Sequence, residues 1–189
     1  MDVSVVKNWL KNRLPAFQDV LAVYGLIVLL IYGWTIYWYL WKLPSWLYFL
    51  SLPEILFVYT YAAVLNFIET LIVIALPLAL CLALPVAWMR DRFVSRSVIL
   101  VIVLLAALIN YVNLMTSLLR IPPGLAFPTL LAAVVTAFLM FVAGRVGFIR
   151  KAIEEIASRS VIFVYIFLPL TALSFLVVLA RNIVSLVSR

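Results

Sequence analysis

Asn66 and Glu69 stand three residues apart in an otherwise apolar stretch, and Asn110, Asn113 and Ser117 recur at i, i+3 and i+7 in another. On a helix those spacings place each set on one face. Amides and a carboxylate inside hydrophobic segments have two uses. They hold an ion or polar substrate on a route through a membrane, or they join helices by hydrogen bonds. Counted from Trp88, Glu69 lies ~28 Å up its helix at ~1.5 Å per residue; counted from Ser97, Asn113 and Ser117 lie at ~24 and ~30 Å. The two faces share a depth and are expected to meet near one boundary of a ~30 Å hydrocarbon core. Arg181, twenty residues after Val161 on the last apolar segment, reaches that depth too, and Arg120 lies slightly higher. A carboxylate there needs a cation or takes a proton. Glu69 is therefore expected to pair with Arg181, or less readily with Arg120, and otherwise to bond Asn110 or Asn113 in protonated form.

Other residue patterns bear on ligands and packing. Of 6 Trp and 9 Tyr, eleven lie between Tyr24 and Tyr61, and Trp34, Trp38 and Trp41 fall on one helical face. They form either an interfacial belt at headgroup level or a face for a flat ligand or a partner. Ala75, Ala79, Ala83 and Ala87 repeat every four residues, a ladder that lets another helix approach closely. Ala133, Ala137, Gly144 and Gly147 echo it. Pro77 and Pro85 are expected to kink the helix that carries the ladder.

Catalytic motifs are absent. The chain has no His and 1 Cys, which removes His-based acid–base chemistry, imidazole ligation and intrachain disulfides. There is no Gly-x-Ser-x-Gly, no Gly-rich phosphate loop and no aspartate-rich signature. The adjacent Glu154 and Glu155 have Arg150, Lys151 and Arg159 at i,i+4 spacing. Cys81 sits among Leu and Ala, where a thiol behaves as a small hydrophobe. No metal, cofactor or nucleic acid is expected.

The elements that position these residues are membrane helices. Of 189 residues, 68% are hydrophobic and only 11% charged, and mean hydropathy is +1.27; a soluble domain carries about 25% charged residues. The spacing predicts an all-α polytopic bundle with spans at about 17–41, 56–89, 98–119, 125–147 and 161–180. Residues 1–16 form a basic amphipathic segment that ends at Pro15, and 17–189 form a single membrane domain. The first apolar run is too long for a signal sequence and lacks a small-residue cleavage site, so it is read as a retained span.

Charge chooses the number of spans. With five spans and a cytoplasmic N-terminus, Lys7, Lys11, Arg13, Arg90, Arg92, Arg96, Arg145, Arg150, Lys151 and Arg159 lie inside. Only Lys42, Arg120, Arg181 and Arg189 lie outside. Splitting the long block at Asn66–Thr70 makes six spans and puts most basic residues outside, against the positive-inside tendency. That segment also lacks the Gly or Pro that would close a hairpin. Ile149, Ala152, Ile153 and Ile156 make an apolar stripe before the last span, expected as a helix along the cytoplasmic surface or as an extension of the fourth span.

The expected function is that of a non-catalytic integral subunit or scaffold of a larger membrane assembly. A small transporter, channel or lipid carrier using the polar cluster is the alternative. Partners are membrane lipids and other subunits or a second copy, and the expected location is a prokaryotic plasma membrane.

Overall fold

The computed structural model describes residues 13–118 and 126–187. The amphipathic segment over residues 1–12, the Pro122-Pro123-Gly124 turn and Arg120 lie outside the described residues. Among those described, the chain is helical and contains no strand. The helices are α1 (Phe17–Trp46), α2 (Leu52–Ala83), a four-residue α3 (Val86–Met89), α4 (Phe93–Leu118), α5 (Ala126–Arg145) and α6 (Gly147–Val187), with a 3-10 turn at Arg90–Arg92. By length and composition α1, α2, α4 and α6 can each cross a bilayer, and α5 is apolar over Leu131–Arg145. Four to five long apolar helices mark an integral membrane protein with a helix-bundle architecture.

The boundaries differ from the expected ones where proline acts. Pro77 lies inside α2, which continues past it, and is fully buried. Pro85 ends the element instead of kinking it: its backbone is extended, at φ −58° and ψ 141°, and it starts α3. The span expected to reach residue 89 therefore stops at Ala83, and Ala87 belongs to a separate helix. The ladder has three rungs on α2, not four. Upstream, Ser51 and Glu54 form a capping box. The Glu54 carboxylate accepts from the Ser51 backbone N–H at 2.8 Å and from its hydroxyl at 2.7 Å. This cap starts α2 at Leu52, four residues before the apolar run.

The stripe at Ile149–Ile156 joins the last span. Only Val146 separates α5 from α6, and no Gly or Pro interrupts residues 148–168. The segment is therefore neither a detached surface helix nor an extension of the fourth span. It lies within the first third of a 41-residue helix, with the anticipated Arg150–Glu154 ion pair at 3.7 Å.

Two compact units divide the chain. One combines Tyr24–Ala75 with Arg159–Arg189, and the other takes the chain up to Val23 with Leu76–Ser158. In the first, Tyr24 meets Thr70 and Tyr39 meets Ile55, so α1 and α2 run antiparallel. Gly25 lies against Ser160 and Tyr32 against Thr171, so α6 runs parallel to α1. The buried face of α2 in this unit is Ile55, Ala63, Asn66, Thr70 and Ile74. In the second unit the start of α4 packs on the end of α5: Arg92 donates to the Gly144 carbonyl. Met89, Phe93, Val98, Val101, Met140 and Ala143 are buried there.

Candidate functional site

The polar side chains of the first unit gather around Tyr32, which is 2% exposed. Its hydroxyl lies 2.6 Å from Thr171 Oγ1 and donates to the Ala63 carbonyl at 3.1 Å, while Thr171 reaches the Phe167 carbonyl at 2.8 Å. Two hydroxyl protons thus serve three contacts among α1, α2 and α6. The Tyr32 ring stacks on Phe167 with centroids 4.7 Å apart. One turn along α1, Thr35 donates to Asn66 Oδ1 at 3.0 Å, and about two turns in the other direction Tyr24 and Thr70 share a 3.2 Å hydrogen bond. The helices come this close because Gly25 has no side chain. A Cβ there would stand 2.8 Å from Ser160 and Val161 backbone atoms.

Asn66 is thus a helix-joining amide, buried against α1. Glu69 is not beside it. Positions three apart on a helix differ by about 60° around the axis, and the edge of the packed face passes between them, leaving Glu69 exposed. Its exposed neighbours are Leu65, Ile68, Leu71 and Ile72. No hydrogen bond or ion pair to Glu69 occurs among the described residues.

The expected Glu69–Arg181 pair does not form. The Arg181 guanidinium lies over the Phe57 ring, 4.3 Å from its centroid. Glu69 is twelve residues further along α2, roughly 18 Å at ~1.5 Å per residue. Antiparallel packing of α2 and α6 sets this register, which two separate depth counts could not supply. Asn110 and Asn113 belong to the second unit and are exposed. Asn110 donates to the Ala106 carbonyl of its own helix at 2.8 Å.

Trp34, Trp38 and Trp41 share an exposed face, with Trp34 and Trp38 edge to face at 6.0 Å. That geometry suits an interfacial belt. Ala75, Ala79 and Ala83 are likewise exposed; the packed positions of α2 are the intervening Ile74, Pro77 and Cys81.

A second polar centre was not legible as one. Arg96, one of the charges that favour five spans, is 4% exposed, its guanidinium 4.9 Å from the centre of the Trp88 ring. Nε and Nη1 have no hydrogen-bond partner, nor does the buried Ser97 hydroxyl. Gly144 makes room for it: a Cβ there would meet Arg96 Nε at 2.9 Å. The detectable signal was a glycine near the end of one apolar helix and an arginine one turn inside the start of its neighbour. Among the described residues no group of His, Cys, Asp and Glu could hold a metal ion. Comparison with protein-family models, curated proteins and solved structures finds no match.

Proposed function

We propose that the chain is a non-catalytic integral subunit of a larger membrane assembly and that the exposed face of α2 around Glu69 receives a partner helix. The observation that carries this reading is the placement of Glu69. A carboxylate within an apolar span is costly when it faces hydrocarbon, and such groups normally turn toward protein. Here the group faces outward, flanked by Leu65, Ile68 and Ile72. The complement is a transmembrane helix of another subunit with a cation or hydrogen-bond donor at that depth. Ala75, on the same exposed side, allows its close approach.

Photo-crosslinking in the native membrane tests this. A photoreactive residue at Ile68 or Ile72 should yield a covalent adduct with a second polypeptide, and Glu69→Leu should abolish it. The same probe at Val103 should yield none. Absence of any adduct at both α2 positions, or an adduct only with a second copy of this chain, would sink the subunit reading.

The proposed topology is five spans, N-terminus cytoplasmic and C-terminus outside, in a plasma membrane of prokaryotic type. Charge supports it, because with five spans and the N-terminus inside, Arg90, Arg92, Arg96, Arg145, Arg150, Lys151 and Arg159 all belong to the cytoplasmic segments. In a Cys81→Ser background, Asp91→Cys and Phe148→Cys should resist an impermeant thiol reagent in intact cells, and Tyr48→Cys should react.

A further inference from the structure

We propose that α2 and α6 together bind one anionic phospholipid, its acyl chain in the groove between them and its phosphate on Arg181. The groove has a volume of about 410 Å³ and runs between Pro53, Leu56, Phe57 and Thr60 on α2 and Leu173 and Val177 on α6. All of these lie within one compact unit. The walls are almost wholly apolar: of the three hydroxyl side chains that line them, Tyr59, Thr60 and Ser174, Ser174 bonds the Leu170 carbonyl of its own helix at 2.9 Å and Thr60 the Phe57 carbonyl at 2.8 Å. A channel so lined takes hydrocarbon.

One end differs. Arg181 lies one helical turn beyond Val177, and its guanidinium rests on Phe57, which is itself a wall of the groove. The ring face holds the cation at the groove's mouth. Glu54, the acid on the adjoining turn of α2, lies within electrostatic range of Arg181, but its carboxylate is held by the Ser51 cap and makes no ion pair with the guanidinium. An apolar channel ending in a guanidinium with no ion pair among the described residues is complementary to an amphiphile with a long chain and an anionic head. A phosphodiester fits the planar donor fork of arginine. Free phosphate would use only the mouth, and a neutral lipid only the channel.

The test uses the full chain, purified, delipidated and examined by native mass spectrometry with phosphatidylglycerol and phosphatidylcholine of matched chains. Wild type should retain phosphatidylglycerol about fivefold more than phosphatidylcholine, the effect of one basic side chain on an anionic headgroup. Arg181→Gln should remove the preference and leave phosphatidylcholine retention unchanged, while Arg181→Lys, which keeps the charge but not the planar fork, should keep part of it. Leu173→Trp, which fills the groove, should lower retention of both lipids. Inorganic phosphate at equal concentration should not compete. Equal retention of the two lipids by wild type, an unchanged preference in Arg181→Gln, full retention in Leu173→Trp, or displacement by inorganic phosphate would each overturn the proposal. Arg181→Lys and Leu173→Trp decide it even if the glutamine variant does not fold.

Discussion

Tyr32 and Arg96 are both almost wholly buried, at 2% and 4% exposure, yet their surroundings are opposite. The Tyr32 hydroxyl is satisfied twice over, by a hydroxyl and a carbonyl from two different helices. Two of the guanidinium nitrogens of Arg96 have no partner and lie against an indole face and a glycine. In a chain rich in hydrocarbon, association of helices cannot rest on a hydrophobic difference between protein and lipid. Shared hydrogen bonds and close backbones do that work around Tyr32. Around Arg96 an indole face offsets only part of the cost of burying a charge whose Nε and Nη1 make no hydrogen bond. A buried polar group is thus no measure of stability until its partners are counted.

Substitutions at the two centres should separate these regimes, read as reversible unfolding in mixed detergent micelles. Gly25→Ala should be the most damaging. Its Cβ would meet only backbone atoms at 2.8 Å, so two helices must part, with a loss of about 2–3 kcal/mol at the upper end of overpacking effects. Tyr32→Phe should lose about 1 kcal/mol, because Thr171 keeps its bond to the Phe167 carbonyl. Gly144→Ala should lose less than about 1 kcal/mol, since the new Cβ meets side-chain atoms of Arg96 and Arg92 that can shift. Arg96→Met should change stability least, within about 1 kcal/mol of zero and on the stabilising side. If Arg96→Met instead lost more than about 2 kcal/mol, the guanidinium would have an essential partner, and the contrast with Tyr32 would fail.

The contrast also explains what could be read from residues alone. Helical spans, the unsplit block through Asn66–Thr70 and the Arg150–Glu154 pair follow from local spacing, and local spacing sets them. Element ends were less legible where one residue outweighed a run: Pro85 cut α2 short, and the Ser51–Glu54 cap extended its start. Pairings between helices were the least legible. Asn66 and Glu69 share a face in a projection 60° wide, yet one is buried and the other exposed. The Arg181–Phe57 contact depends on an antiparallel register that only packing decides. Gly144 belongs to a small-residue pattern that marks close approach, but Tyr32 and Gly25 carry no sign along the chain that they stand at crossing points; a tyrosine in an aromatic-rich stretch looks like its neighbours.

The length of α6 has a mechanical consequence. Its 41 residues extend to about 61 Å at ~1.5 Å per residue, twice the ~30 Å of hydrocarbon in a bilayer. Between Arg159 and Arg181 the helix carries no charged side chain, and those two positions stand about 33 Å apart at the same rise. The helix is therefore a ruler with a stop at each end. A vertical slide by one turn in either direction would drag a guanidinium into the apolar layer. Tilting, or bending at Pro169, leaves both charges in place. Whatever movement α6 makes in a membrane is accordingly a swing and not a piston stroke.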